Sequence, residues 1–132
     1  MTRSTPELLS ESEVLSRLRS KRGQTGYRAM FSSWLGGIVT DPALMQIPLD
    51  DHLVHRGHGV FDTCTLSDGR LYRLDVHVDR LLQSASLARI EHSWSKEDII
   101  QMVVDTASKT GIRDGAVRYW LTVGPGGFSP SP

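Results

Sequence analysis

The chain has 132 residues, of which 39% are hydrophobic and 23% charged, and 15 basic side chains balance 15 acidic ones. A chain of this length buries roughly two-thirds of the surface its unfolded form exposes, so one globular core needs neither metal nor disulfide. Balanced charge excludes the basic surplus of a nucleic-acid binder. No run approaches the ~20 apolar residues of a membrane span, and a lone cysteine, Cys64, argues against a disulfide-framework secreted protein.

Residues 1–25 read as a helical extension. Ser10 and Glu13 stand in capping-box spacing before Val14, Leu15 and Leu18, and Gly23 closes the segment. Met1 to Glu7 lacks the pattern of a signal peptide, and Glu7, Glu11 and Glu13 argue against an acid-poor transit peptide. The expected compartment is therefore the cytoplasm, with the plastid as the alternative. From Tyr27, an aromatic and apolar run, then Gly36-Gly37, Ile38-Val39-Thr40 and Asp41-Pro42, predicts two strands in a hairpin. Val60 to Leu66 and Arg70 to Leu74 flank Ser67-Asp68-Gly69 and predict a second hairpin.

Asp75 is expected to cap a helix with Val78, Leu81, Leu82, Ala85 and Ala88 on its apolar face. Ser95 and Glu97-Asp98 open another, with Ile99, Ile100, Val103, Val104 and Ala107 as its buried stripe and Gly111 after its end. Ala116 to Val123 alternates like a strand. Hairpins followed by helices predict an α+β fold, a largely antiparallel sheet with helices packed on one face. Residues 26–124 form this small domain, and residues 125–132, Gly/Pro/Ser-rich, read as an interdomain linker cut short.

The polar segment Asp50 to Gly59 leads directly into a strand and is read as a site-bearing loop. His52, His55 and His58 recur every three residues, yet neither a helix nor a strand brings all three to one face, so no metal site is expected. Arg56-Gly57-His58-Gly59 can be read as an anion site, because a guanidinium fork matches phosphate oxygens and glycines allow close backbone approach. A surface arginine in a glycine-rich turn is the competing reading.

The run from Asp51 to Thr63 contains Arg56-Gly57-His58-Gly59-Val60-Phe61-Asp62. With Asp68-Gly69, Leu74-Asp75-Val76-His77-Val78-Asp79-Arg80-Leu81 and Ser84-Ala85, it resembles the amino-terminal domain of class-IV, fold-type-IV pyridoxal-phosphate enzymes. These are the branched-chain aminotransferases, D-amino-acid aminotransferases and aminodeoxychorismate lyases. The resemblance runs from about Tyr27 to Phe128. It is strongest to the D-amino-acid aminotransferase-like members of plants, through Gly36 to Pro42 and Val54 to Gly59.

The resemblance implies pyridoxal 5'-phosphate as cofactor, amino-group transfer between a small amino acid and a 2-oxo acid, and a homodimer in the full-length form. It gives Arg56 the cofactor phosphate and makes His58 and Asp62 substrate-side candidates, Asp62 being one methylene shorter than the glutamate common in the family. His77 and Arg80 fall on the family's helix pattern and are read as packing and hydrogen-bonding residues. Where D-amino-acid aminotransferases carry a carboxylate-binding arginine, this chain has Val123. Arg118 lies five positions earlier, an odd step that puts it on the opposite strand face.

The cofactor's chemistry also needs a lysine on its aldehyde and a carboxylate at its pyridine nitrogen. Lys21, Lys96 and Lys109 all read as surface charges, and the family lysine belongs to a carboxy-terminal domain that this sequence does not include. No catalytic residue is therefore expected in this chain, and its cofactor site is incomplete. An aminodeoxychorismate lyase and a non-catalytic interaction module are the alternative readings.

Overall fold

The computed structural model describes residues 5–128, so the first four residues of the expected extension and the last four of the expected linker lie outside the described residues. The described backbone packs as two compact units, divided between residues 46 and 47.

In the first unit, α1 (Glu11–Arg22) starts at Ser10, whose hydroxyl accepts the Glu13 N–H at 3.2 Å and donates to the Glu13 carboxylate at 3.0 Å. No residue of α1 is fully buried. Its Val14, Leu15 and Leu18 line an open apolar recess with Leu9 and Leu44. The first hairpin is present as β1 (Met30–Ser32) and β2 (Gly37–Val39), with Phe31 opposite Ile38. Asp41 then caps a 3-10 turn, Pro42–Leu44, and pairs with Arg19 at 3.2 Å. This hairpin lies in the same compact unit as α1.

The second unit contains α2 (His52–Arg56), β3 (Gly59–Ser67), β4 (Arg70–Leu71), α3 (Leu74–Leu87), α4 (Lys96–Ser108) and β5 (Gly115–Thr122). Its sheet is antiparallel throughout, in the order β4-β3-β5. Asp68 and Gly69, at φ 48° and 73°, form the two-residue turn whose left-handed backbone matches the twist of the β3–β4 hairpin. The β3–β5 ladder runs from Gly59 opposite Thr122 to Leu66 opposite Gly115.

Alternation along that ladder separates two faces. Val60, Asp62, Cys64 and Leu66 share one with Val117, Tyr119 and Leu121, whereas Phe61, Thr63 and Thr65 share the other with Ala116, Arg118 and Trp120. The helices cover the first face: Cys64, Leu74, Val78, Leu81, Ile99 and Val103 form the core, and Val60, Val117, Tyr119 and Leu121 pack against it. Helix α3 buries Leu74, Val78, Leu81 and Ala85, a 4-3-4 spacing that keeps one stripe on the sheet.

Three local features add to or differ from the expected pattern. Helix α3 begins after Arg73, at φ 53° and without a side-chain cap, so Asp75 lies in the first turn, where its charge suits the helix dipole. In α4 the expected Val104 is exposed and Thr106 is buried instead, its hydroxyl donating to the Met102 carbonyl at 2.6 Å. That bond satisfies a polar group that burial alone would penalise. The α4 start follows the sequence, with a reciprocal capping box between Ser95 and Asp98.

Leu81 is 3% exposed and Leu87, on another side of the same helix, 79%. Leu81→Ala is expected to lower the unfolding free energy by about 2–5 kcal/mol in urea titrations, and Leu87→Ala to change it by less than about 0.5 kcal/mol.

Candidate functional site

The segment around Arg56, expected to be a loop, is one turn of helix. The Asp51 carboxylate accepts the Leu53 N–H at 2.9 Å, and Gly57, at φ 62°, ends the turn in a left-handed conformation that suits glycine. Helix nucleation is unfavourable, so five residues depend on tertiary anchors. Those anchors are at hand. Asp51 is 7% exposed, and its second oxygen accepts the Thr122 hydroxyl at 3.2 Å. The His52 amide donates to the Gly124 carbonyl at 3.0 Å, and His52 Nδ1 lies 2.6 Å from the same oxygen. The Gly126 N–H donates to the Asp50 carbonyl at 3.0 Å, and Phe128 stands edge-on to His55 at 5.0 Å. The residues following β5, expected to belong to a linker, therefore pack on the turn that carries Arg56. Arg56 is its last residue and is solvent-exposed.

The three histidines take different partners. His52 and His55 have ring centroids 5.0 Å apart. His58 Nε2 instead lies 2.6 Å from the Ala88 carbonyl at the end of α3, and its own carbonyl accepts the Val123 N–H at 3.4 Å. As a candidate for substrate contact, His58 thus has one ring nitrogen engaged by the scaffold. Among the described residues, no group of three or more His, Cys, Asp or Glu side chains is arranged to hold a metal ion.

Asp62 projects from β3 toward α3. Its Oδ1 accepts the Thr63 N–H at 2.8 Å, while Oδ2 lies 3.5 Å from His77 Nδ1 and 3.6 Å from Arg80 Nε. Tyr119 is its cross-strand neighbour, and the Tyr119 hydroxyl and His77 Nδ1 are buried with no hydrogen-bond partner. Arg80 is not a packing residue: 64% of its side chain is exposed while the Asp62 side chain is 15% exposed. The result is a largely exposed guanidinium at ion-pair distance from a mostly buried carboxylate. The sequence carries two signals of this cluster, the His77-x-x-Arg80 step on a helix and the inward parity of Asp62, but neither alone identifies it.

Burial pushes the Tyr119 phenol well above its usual range, reinforced by the Asp62 charge and then by Cys64, with Arg80 opposing. Burial, and then Asp62, also raises the Cys64 thiol, whose Sγ donates to the Tyr72 carbonyl at 3.2 Å. Lys96 has a raised pKa, first through its hydrogen bond to Asp79 at 2.9 Å, so it is a cation on an ion pair and a poor nucleophile. On the opposite sheet face, the Arg118 guanidinium lies 5.1 Å from the Phe61 ring centroid, and its Nε donates to Thr63 at 3.2 Å. Val123 continues the parity of the helix-covered face, so Arg118 does not share its side.

The family model for amino-transferase class IV matches residues 59–132, and an Arabidopsis thaliana D-amino-acid transaminase, chloroplastic, is 53% identical over 95% of this chain. The chain belongs to the class IV aminotransferases. Pyridoxal-phosphate dependence is general for this family. The match covers 34% of the Arabidopsis protein, so the chain spans about a third of that relative's length. An aminodeoxychorismate lyase from Bacillus subtilis is 34% identical over 58% of this chain and 26% of its own length. The fold matches a branched-chain amino acid aminotransferase from Escherichia coli with a TM-score of 0.66 and 24% identity, over 74% of this chain and 34% of that one. Among the described residues, no helix is long and apolar enough to cross a membrane.

A Cβ on Gly126 would run into the His52 ring, so Gly126→Ala is expected to cost about 1–3 kcal/mol through overpacking and to speed proteolysis after β5. Gly26→Ala, where a Cβ meets nothing within 4 Å, serves as its control. Cys64 and Tyr119 both have raised pKa values in the folded chain, so the unfolded chain loses those protons first. Their stabilisation is complete below about pH 8.5 and declines as pH rises from the unfolded thiol and phenol values of about 8.5 and 10 toward the higher folded ones. Urea midpoints measured from pH 7 to about 10.5 are expected to fall at the alkaline end, less steeply in Tyr119→Phe.

Proposed function

We propose that this chain supplies the phosphate-holding part of a pyridoxal-phosphate site in an aminotransferase that moves amino groups between small amino acids and 2-oxo acids. The observation that carries the reading is the exposed Arg80 guanidinium, whose Nε lies 3.6 Å from the Asp62 carboxylate. A guanidinium presents paired donors that match phosphate oxygens, which makes it a good anchor for a planar, phosphate-tailed cofactor. Arg56, three residues before β3, adds a second cation at the start of that strand. The residues present fit the anionic end of the cofactor. They offer no candidate for its aldehyde, since Lys96 is ion-paired with Asp79. When bound, pyridoxal phosphate supplies the electron sink for the transfer. This chain's contribution is binding and orientation, and it does not complete the transfer by itself.

The D-amino-acid transaminase relative, matched over 95% of this chain, favours transfer over the lyase reaction, whose relative matches 58%. Its name carries "chloroplastic", which supports the plastid over the cytoplasm as the working compartment. A homodimer is part of the proposal for a protein of the relatives' full length.

Loss of a hydrogen bond to a charged group costs about 1.5–3 kcal/mol, or roughly 10- to 100-fold in affinity. Arg80→Ala and Arg56→Ala are each expected to weaken pyridoxal-phosphate binding by this chain by at least about tenfold, measured by absorbance titration. Unchanged affinity in both would contradict phosphate anchoring. Borohydride reduction of the mixture followed by peptide mass mapping is expected to give no stoichiometric adduct, and such an adduct on Lys96 or Lys109 would overturn the incomplete-site reading.

A further inference from the structure

We infer that Asp62 is a positioning residue that aims the Arg80 guanidinium at its anionic ligand, with His77 beside the same carboxylate oxygen. The inference rests on the reading of Arg80 as a phosphate anchor and adds what makes that anchor selective. An arginine side chain has several rotatable bonds, and an exposed one samples many orientations before it meets a ligand. Here Nε lies at ion-pair distance, 3.6 Å, from the Asp62 carboxylate, which biases the guanidinium without a direct hydrogen bond. Asp62 is itself locked, because Oδ1 takes the Thr63 N–H at 2.8 Å and leaves only Oδ2 to face α3. His77 and Arg80 are three residues apart on α3 and therefore neighbours on one face, and both approach that oxygen, at 3.5 and 3.6 Å.

The placement of the carboxylate rules out simple charge attraction as its purpose. A negative group beside an anion site repels the anion, so on charge alone replacing Asp62 with a neutral residue would tighten phosphate binding. Orientation acts with the opposite sign. A donor held in its bound geometry loses less freedom when the ligand arrives, and supporting contacts of this kind fix the groups that touch a ligand. The groups facing Asp62 are His77 and Arg80 from α3 and Tyr119 from β5. Asp62→Asn keeps the volume and removes the charged tether, placing an amide NH2 donor where Oδ2 faced Arg80 and His77 Nδ1, the latter buried without a hydrogen-bond partner.

The test measures binding of pyridoxal phosphate and of pyridoxal to this chain as wild type, Asp62→Asn, Asp62→Glu, Arg80→Ala and the Asp62→Asn/Arg80→Ala double variant, with thermal melts alongside. Asp62→Asn is expected to weaken pyridoxal-phosphate binding about tenfold, with pyridoxal showing no saturable binding to either form. Asp62→Glu is expected to stay within about threefold of wild type, and the double variant to bind no more weakly than Arg80→Ala alone. Unchanged or tighter phosphate-ligand binding in Asp62→Asn, with Arg80→Ala still impaired, would overturn the positioning role and leave the anchor standing. No effect of Arg80→Ala would instead sink the anchor itself. If Asp62→Asn does not fold, Asp62→Glu decides: a loss equal to that of Arg80→Ala, without loss of melting temperature, contradicts the inference.

Discussion

The pairing of β3 with β5 is the constraint on which the rest of the unit depends. Its register sets Asp62 beside Tyr119 on the helix-covered face and Thr63 beside Arg118 on the other. A slip of one residue would exchange the faces, exposing Cys64 and turning Asp62 away from α3. The apolar stripe of α3 depends on the same register, because Leu74, Val78 and Leu81 pack on Cys64. The core and the polar cluster are thus two consequences of one ladder, and α3 contributes its next positions, His77 and Arg80, to the second.

The ladder also reaches beyond its own ends. Thr122 closes β5 and donates to Asp51, which caps the short helix that ends in Arg56. Gly124 and Gly126 then return along that helix through His52 and Asp50. Two cationic side chains, one before β3 and one beside it, are consequently referred to the same strand pair. In the proposed reading, both cations serve the phosphate end of the cofactor. The ladder also ties the backbone that leaves the sheet to the turn that carries Arg56.

Much of this is legible in the sequence, and the exceptions have physical causes. The Asp68-Gly69 turn, the Ser95 start of α4 and the Val78, Leu81 and Ala85 positions of α3 are local signals, carried by residues within a few positions of one another, and the structure contains all three, whereas the expected Ala88 falls at the C-cap of α3. The α2 turn escapes sequence reading because its stabilising partners, Thr122 and Gly124, lie some 70 residues away, and so short a helix leaves no periodicity to detect. The same distance conceals the anchoring of the Gly/Pro run, whose composition resembles a free linker. Arg73 starts α3 in a left-handed conformation without a capping bond, a start that no capping rule finds. Asp62 stands out for its place in a motif, but its partners become visible only when strand parity and the α3 helical step are combined.

The central claim is that this chain grips the cofactor by its phosphate and not by its aldehyde. Direct evidence comes from comparing two partial ligands on the wild-type chain by titration calorimetry: pyridoxine 5'-phosphate, which keeps the phosphate and lacks the aldehyde, and pyridoxal, which keeps the aldehyde and lacks the phosphate. The account predicts that pyridoxine 5'-phosphate binds within a few-fold of pyridoxal phosphate while pyridoxal shows no saturable binding. Saturable binding of pyridoxal with no binding of pyridoxine 5'-phosphate would contradict it.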